Sequence, residues 1–150
     1  MDALKGRVRS RRDEGAELIE FALVLPLLLF VVVGIFDFGF LFRDYGVITN
    51  AAREGARIGV LAGYTEADVL DRVSSYMTAA GLTAPPVPPV VEPDSLTLAS
   101  GATVPVVRVT VTYPHDFTIL APIASLFGAS FGTVTLTAVS EMRVEGPSGS

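Results

Sequence analysis

An uncharged apolar run near the N-terminus constrains this chain more than any other feature. No residue from Phe21 to Phe36 carries a charge, and after Asp37 the apolar character resumes through Phe42. A helix of about 20 residues, rising about 1.5 Å per residue, crosses the roughly 30 Å hydrocarbon layer of a membrane. Helices of soluble domains are seldom apolar on every side over such a length. The run therefore predicts a membrane-spanning helix surrounded by a lipid bilayer.

Basic residues before the run predict its orientation. They crowd the start of the chain, opposed only by Asp2: Lys5, Arg7, Arg9, Arg11 and Arg12. Positive charge flanking a membrane helix is retained on the cytoplasmic side, so we expect a single-pass protein with its C-terminal part outside. A cleaved secretory signal is the alternative, but such signals end in small residues. Here the apolar run ends in bulky residues, Phe38-Gly39-Phe40-Leu41-Phe42, which favours a retained helix.

Composition narrows the classes of function. The net charge is −5 although the basic residues cluster at the start, so the remainder is clearly acidic and a nucleic-acid partner is not expected. The absence of cysteine excludes disulfides, thiolate catalysis and cysteine metal sites. His115, the one histidine, is predicted to be a surface residue at a strand end, beside Asp116. No nucleophile, phosphate loop or dinucleotide motif can be nominated, so we expect neither an enzyme nor a cofactor.

The junction between the basic segment and the apolar run has a pattern of its own. It reads Arg11-Arg12-Asp13-Glu14-Gly15-Ala16-Glu17-Leu18-Ile19-Glu20-Phe21. Here the sequence resembles type IV-like prepilins, and most closely the TadE-like pseudopilins of tight-adherence (Flp) pili. In that group a short basic leader ends in Gly, a prepilin peptidase cuts after it, and a Glu at the fifth mature position precedes an aromatic residue. Gly15, Glu20 and Phe21 match that pattern.

The likeness covers residues 11–63 and hardly reaches the middle of the chain. Its further segments are Phe21-Ala22-Leu23-Val24-Leu25-Pro26-Leu27-Leu28, Asp37-Phe38-Gly39, the most diagnostic block Asn50-Ala51-Ala52-Arg53-Glu54-Gly55-Ala56-Arg57, and a weaker echo in Ser140-Glu141-Met142-Arg143-Val144-Glu145. Phe40 departs from the pattern, because many relatives carry Arg after the Phe-Gly pair. That departure puts in doubt a polar contact at this position but leaves processing untouched.

The resemblance implies specific roles and partners. Cleavage between Gly15 and Ala16 would free an amine on Ala16, and Glu20 lies four residues further, about 6 Å along a helix. In filaments of related proteins this Glu is thought to meet the terminal amine of a neighbouring subunit, which assigns Glu20 and Phe21 to assembly. The implied partners are the prepilin peptidase, other pilin and pseudopilin subunits and the assembly machinery of a bacterial inner membrane. The chain would be a minor subunit, since major Flp subunits are much shorter.

A different function stays open beside that one. A permanently membrane-anchored binding module, not processed and facing outside the cytoplasm, fits the same anchor and the same outer domain. Asp37 is interpreted as a residue at the outer membrane boundary, with a functional role as the alternative. Bends of the long helix are expected at Pro26 and Gly46.

Small residues continue the helical period beyond the membrane. They recur every three or four positions: Ala52, Gly55, Ala56, Gly59 and Gly63. Stripes of this kind let backbones approach closely, so we expect helix packing there. A frayed, glycine-rich linker is the alternative.

The rest of the chain predicts a small α+β domain. Thr65, followed by acidic residues, is typical of a helix start, and Gly81 of its end. Pro85 to Pro89 predicts a stiff connector, with a polyproline ligand as the alternative. Strands are expected around Leu96–Leu98, at Val104–Tyr113 and from Thr133 to about Val144. Phe117 to Phe131 is either a short helix or a packed loop. The fold expected is pilin-like, with a long N-terminal transmembrane and stalk helix, a second short helix and a small antiparallel sheet of three or four strands.

These assignments divide the chain into four parts. Residues 1–15 form the basic leader, and residues 16–63 form the transmembrane helix and stalk. Residues 64–145 form the extracytoplasmic domain, and residues 146–150 are expected to be a disordered tail.

Overall fold

One helix dominates the structure. The computed structural model describes residues 11–126 and 128–144, with side chains from residue 15 onward; residues 1–10 of the predicted leader and the predicted tail lie outside the described residues. Helix α1, Arg11–Gly59, comprises 49 residues and includes Pro26. At about 1.5 Å per residue it is roughly 73 Å long. It runs through both Pro26 and Gly46 without interruption, so neither position ends the helix.

The apolar part of α1 has the properties of a membrane anchor. Among the described residues, one helix is long and apolar enough to cross a membrane, with a mean hydropathy of 2.8 over its most apolar window. None of that window is buried inside the protein. Length and composition thus fit a single-pass anchor whose surface must be covered by something other than the protein's own core.

Helix α2, Glu66–Ala79, begins and ends where the sequence predicts. Thr65 is its N-cap: the hydroxyl accepts from the backbone N–H of Asp68, and the Asp68 carboxylate accepts from the backbone N–H of Thr65, forming a capping box. At the other end the N–H groups of Gly81 and Leu82 donate to the carbonyls of Thr78 and Met77. Gly81 has a φ of +82°, the left-handed conformation that this type of helix end requires.

A three-stranded antiparallel meander completes the fold. Strand β1 is Val90–Thr97, β2 is Thr103–His115 and β3 is Val134–Arg143, in the spatial order β1-β2-β3. Strand β1 starts directly after the proline connector, earlier than predicted, and its edge position accommodates Pro93. Leu98 lies in the following turn, where it bonds Ala102 and Gly101. The α+β class is confirmed, with three strands.

The segment between β2 and β3 contains a third helix. Helix α3, Leu120–Leu126, decides between the two alternatives that the sequence left open for Phe117 to Phe131. Its C-terminal end is closed by bonds from the N–H groups of Gly128 and Ala129 to the carbonyls of Ser125 and Ala124. Gly128 has a φ of +72°, so α3 ends in the same way as α2.

The core lies where the sheet and α2 pack on the C-terminal half of α1. Side chains of β2 alternate as predicted, and the face that carries Val107, Val109 and Val111 turns toward the helices. The fully buried members of this core come from all three layers: Ile48, Ala51, Ala52, Ala56, Val69, Val73, Met77, Val109 and Val111. Arg108 on β2 forms ion pairs with Asp94 on β1 and with Glu141 on β3. This cluster links the three strands of the sheet.

Glycines of α1 allow this close approach. A Cβ at Gly55 would lie 2.6 Å from Cγ2 of Val73 and 3.4 Å from Cγ1 of Val109, and a Cβ at Gly59 would lie 3.0 Å from Cγ1 of Val107. Four small residues of the predicted stripe, Ala52 and Ala56 among them, thus face the chain's own α2 and sheet. Gly63 does not belong to the stripe. It follows the end of α1 with a φ of +90°, and a Cβ there would meet no atom within 4 Å.

We expect Gly55→Ala to lower the stability of the outer domain. The added methyl group must displace Val73, and overpacking of this kind costs about 1–3 kcal/mol, which exceeds the gain of up to about 1 kcal/mol in helix propensity. Gly46→Ala is the matched control, because a Cβ at Gly46 meets no atom within 4 Å, so this variant should be stabilised. Thermal unfolding of the full-length chain in detergent, followed by circular dichroism, distinguishes the two. Equal stabilisation of both variants would contradict the packing described for Gly55.

Candidate functional site along the anchoring helix

The residues predicted for processing and assembly lie on the first turns of α1. Ala16 and Glu20 are exposed, and the Phe21 side chain is 61 % exposed. A Cβ at Gly15 would meet no atom within 4 Å. Among the described residues Glu20 forms neither a hydrogen bond nor an ion pair. This end of the helix therefore presents an acidic group and an aromatic ring outward, at the start of the apolar surface.

Burial divides α1 into two parts at Asp37. No residue from 16 to 36 is buried, whereas a buried face begins at Asp37 and continues through Asp44 and Ile48 to Ala56. These positions recur at intervals of three, four or seven, which places them on one side of the helix. The outer domain thus lies along one face of α1.

Asp37 is a buried capping residue. Only 1 % of its surface is exposed, so its side chain is packed inside the protein, and its location at the outer membrane boundary stays a prediction. Its carboxylate accepts from the backbone N–H of Ile119 at 3.1 and 3.2 Å and from that of Leu120 at 2.5 Å. These two N–H groups belong to the start of α3, where a helix lacks internal acceptors. A negative group at a helix N-terminus also interacts favourably with the helix dipole. Asp37 therefore fastens α3 to α1.

His115 forms a second polar link to α1, two turns further along. Its Nδ1 lies 2.8 Å from Oδ2 of Asp44, and only 5 % of its surface is exposed. The prediction that His115 is a surface residue is therefore wrong, although it does end strand β2 as predicted. Asp116 instead accepts from the hydroxyl of Thr133. Sequence proximity favoured Asp116, whereas the sheet places the end of β2 against α1.

Arg43 extends this link to α2. Its Nη1 lies 3.3 Å from the Asp44 carboxylate, and its Nη2 donates to the carbonyl of Ala80 at 2.6 Å. That carbonyl follows the last turn of α2, where a cation is favourable. Neighbouring residues of α1 thus hold the end of α2 and the end of β2 at one level of the helix.

Further along, Glu54 bonds two arginines. It accepts from Arg57 on α1 at 3.0 Å and from Arg72 on α2 at 3.1 Å. Hydrogen bonds from Arg57 and then Arg72 hold the pKa of the Glu54 carboxyl below its ordinary value. The second bond links the two helices at the solvent-exposed margin of their interface.

The His115–Asp44 pair does not resemble a working acid–base site. Asp44 accepts from the Nδ1–H of the imidazole, and Nε2 is buried without a hydrogen-bond partner. A general base must come within hydrogen-bond reach of the proton that it removes. Phe117 packs edge-on against the ring at a centroid distance of 5.7 Å. The geometry supports a structural tie between β2 and the anchoring helix.

Sequence reasoning singled out Asp37 but missed Asp44 and the partners that both carboxylates bond. A signal for them existed, since Asp37 and Asp44 are seven positions apart and in phase with Ile48 and the small-residue stripe. Two carboxylates aligned with a packing face are expected to bond groups of the structure that packs there. Their partners, Ile119, Leu120 and His115, lie 71 to 83 residues away in the sequence.

The fold and this site define a class of protein: a single long helix with an exposed apolar N-terminal half and a small α+β domain packed along its C-terminal half. The family model described as TadE-like protein matches residues 15–57. The resemblance drawn from the sequence is therefore confirmed over this segment, which begins at Gly15 and includes Glu20, Asp37, Asp44 and the stripe residues Ala52, Gly55 and Ala56. No curated protein and no solved structure matches the chain.

We expect Asp37→Ala to release α3 from α1. Each backbone N–H that loses its acceptor away from water costs about 1–3 kcal/mol, so amide hydrogen exchange over residues 117–126 should accelerate on the order of tenfold or more. Asp116→Ala is the matched control, because Asp116 is exposed and bonds only a hydroxyl that water can satisfy. Exchange should be measured by mass spectrometry on the full-length chain in detergent. Unchanged protection of this segment in Asp37→Ala would disprove the capping role.

Proposed function

We propose that this chain is a minor pilin or pseudopilin of a tight-adherence pilus, held in the bacterial inner membrane by α1. The leader, residues 1–15, would lie in the cytoplasm and be removed by a prepilin peptidase, and the domain from residue 64 onward would lie outside. The mature protein would then contribute to the assembly or structure of the pilus. The energy for assembly would come from separate inner-membrane machinery.

One observation carries this proposal: the segment with the TadE-like pattern leaves its apolar N-terminal half without a cover of its own. Residues 16–36 contain no buried position, although the same helix is deeply packed from Asp44 onward. Exposed hydrocarbon on this scale requires lipid or other helices. A subunit that moves from the membrane into a filament exchanges the first environment for the second.

Glu20 supports the assembly role. A carboxylate at the centre of a membrane helix costs about 2.5–3.5 kcal/mol, less at the edge, so an unpaired Glu20 favours contact with a cation. The amine of a processed neighbouring chain, with an ordinary pKa of about 7.7–8.0, is such a cation at neutral pH. Opposite charges attract strongly where water is excluded.

Processing at Gly15 places a demand on the helix. The Gly15–Ala16 bond lies within α1, so the peptidase must reach a bond in a helical segment. Glycine weakens a helix, which favours local unwinding at this bond.

The runner-up function is a permanent membrane-anchored binding module. The three-stranded sheet has one face away from the helices, and the exposed Val139 on β3 belongs to the surface such a module would offer. Under this alternative the chain keeps residues 1–15 and never leaves the membrane. The state of the N-terminus therefore separates the two functions.

We expect the mature protein to begin at Ala16. Intact-mass measurement of the protein purified from membranes of its own host should show a chain shortened by residues 1–15. Gly15→Val should block this shortening without disturbing the fold, because a side chain at Gly15 meets open space. Wild-type protein that retains Met1 would favour the permanently anchored module.

We expect Glu20→Ala to insert into the membrane normally and to be depleted from sheared pili. The change removes the charge that the neighbouring amine would contact, while the exposed position leaves the outer domain unaffected. Glu17→Ala is the control, since it deletes the same charge one turn earlier in the same helix. Quantitative immunoblots of membrane and pilus fractions measure both variants. Normal incorporation of the Glu20 variant would argue against its assembly role.

A further inference from the structure

The outer domain reaches down beside the apolar part of the anchor. The element that does so consists of α3 (Leu120–Leu126) and the short stretch Ala129 to Phe131, named here the wedge. A Cβ at Gly34 of α1 would lie 3.9 Å from Cδ1 of Leu120 in the wedge. Deeper along α1, the wedge and the anchor enclose a groove of about 560 Å³. Its lining residues are all apolar and include Pro26 and Phe30 of α1 and Ile123 and Phe131 of the wedge.

These contacts place the wedge at membrane depth. It meets α1 between Pro26 and Asp37, which overlaps the uncharged run from Phe21 to Phe36. From Phe36 inward, Phe30 lies about 9 Å and Pro26 about 15 Å along the helix axis. The second distance is about half of a roughly 30 Å hydrocarbon layer. Any position of α1 that keeps its uncharged run in hydrocarbon therefore also brings the wedge below the outer membrane surface.

The composition and surface of the wedge suit that depth. No residue from Phe117 to Thr133 is charged. Leu126 is 82 % exposed, and Phe131 is exposed as well. In water these side chains and the groove would have no cover, whereas the same apolar surface continues without a break onto the lipid-facing side of α1.

Backbone hydrogen bonding at both ends of α3 also fits an environment without water. Polar backbone groups in hydrocarbon must find partners within the protein. Asp37 accepts from Ile119 and Leu120 at the start of α3, and Pro122 has no N–H to satisfy. At the end of α3, Gly128 and Ala129 donate to its last carbonyls. The Asp37 carboxylate thus supplies hydrogen-bond acceptors to the first N–H groups of α3, where water cannot reach them.

We infer that the wedge is inserted into the outer leaflet of the membrane, where lipid acyl chains fill the groove against α1. The chain therefore contacts the bilayer twice, through a spanning helix and through an interfacial element that penetrates from outside. Apolar faces of interfacial helices typically enter about 5–10 Å, which agrees with the depth of Phe30. The inference rests on the membrane anchoring and the orientation proposed above, but not on processing or on pilus assembly.

Depth-dependent quenching of a fluorescent probe tests this arrangement. The chain contains no cysteine, so single cysteines can be introduced and labelled with an environment-sensitive dye. Leu126→Cys and Ser130→Cys report on the wedge at exposed positions, Val139→Cys on the outer sheet surface and Leu23→Cys on the anchor. Each full-length variant is reconstituted into phosphatidylcholine vesicles with and without phosphatidylcholine brominated along its acyl chains.

The expected result is strong loss of emission, with a blue-shifted spectrum, for the two wedge probes and for Leu23→Cys, and neither effect for Val139→Cys. Quenching of Leu23→Cys together with wedge probes that behave like Val139→Cys would overturn the inference and leave the anchor intact. Failure of Leu23→Cys to be quenched would refute the anchor itself, and the wedge assignment with it. A wedge probe that is shielded only at high protein-to-lipid ratios, and never quenched by lipid, would assign the groove to a second copy of the chain.

Discussion

A carboxylate placed inside an apolar helix organises much of this structure. Asp37 interrupts the hydrocarbon surface of α1, and its charge would be costly without partners. The partners of the carboxylate are two backbone N–H groups at the start of α3, which have no acceptor within their own helix. Because the carboxylate and the N–H groups satisfy one another, the segment between β2 and β3 is held against α1. The position of the domain along α1 follows from this contact.

The remaining contacts repeat the same principle along the helix. Asp44 bonds His115 at the end of β2, and Arg43 bonds the carbonyl of Ala80 after α2. Beyond them, glycines and alanines bring α2 and the sheet close to the α1 backbone. Hydrogen bonds near the apolar half of α1, and close packing toward its C-terminal end, thus hold the domain along the helix. Helix α1 is therefore both the anchor and part of the core.

The difference between the exposed apolar half of α1 and its packed C-terminal half matters for function. Below the wedge, residues 16–25 of α1 are exposed, so they can be covered by lipid or by the helices of other subunits. The small-residue stripe, in contrast, is occupied by the chain's own α2 and sheet and is not offered to a neighbour. The TadE-like pattern spans both halves, which indicates that the pattern combines residues with two different roles: outward-facing ones near Glu20 and inward-facing ones from Asp37 onward.

The sequence by itself determined the features that depend on local order: the uncharged run, the capping box at Thr65, the left-handed Gly81, the alternation of β2 and the TadE-like junction. Each of these arises from neighbouring residues, within one or two turns or along one strand, and is legible in the chain. Only the tertiary structure decided which groups meet across 71 or more residues: that His115 faces Asp44 and not Asp116, and that Asp37 caps α3. The physical reason is that a hydrogen bond depends on distance in space. Sequence adjacency predicts such distances within a helix or a strand but not between elements that folding brings together.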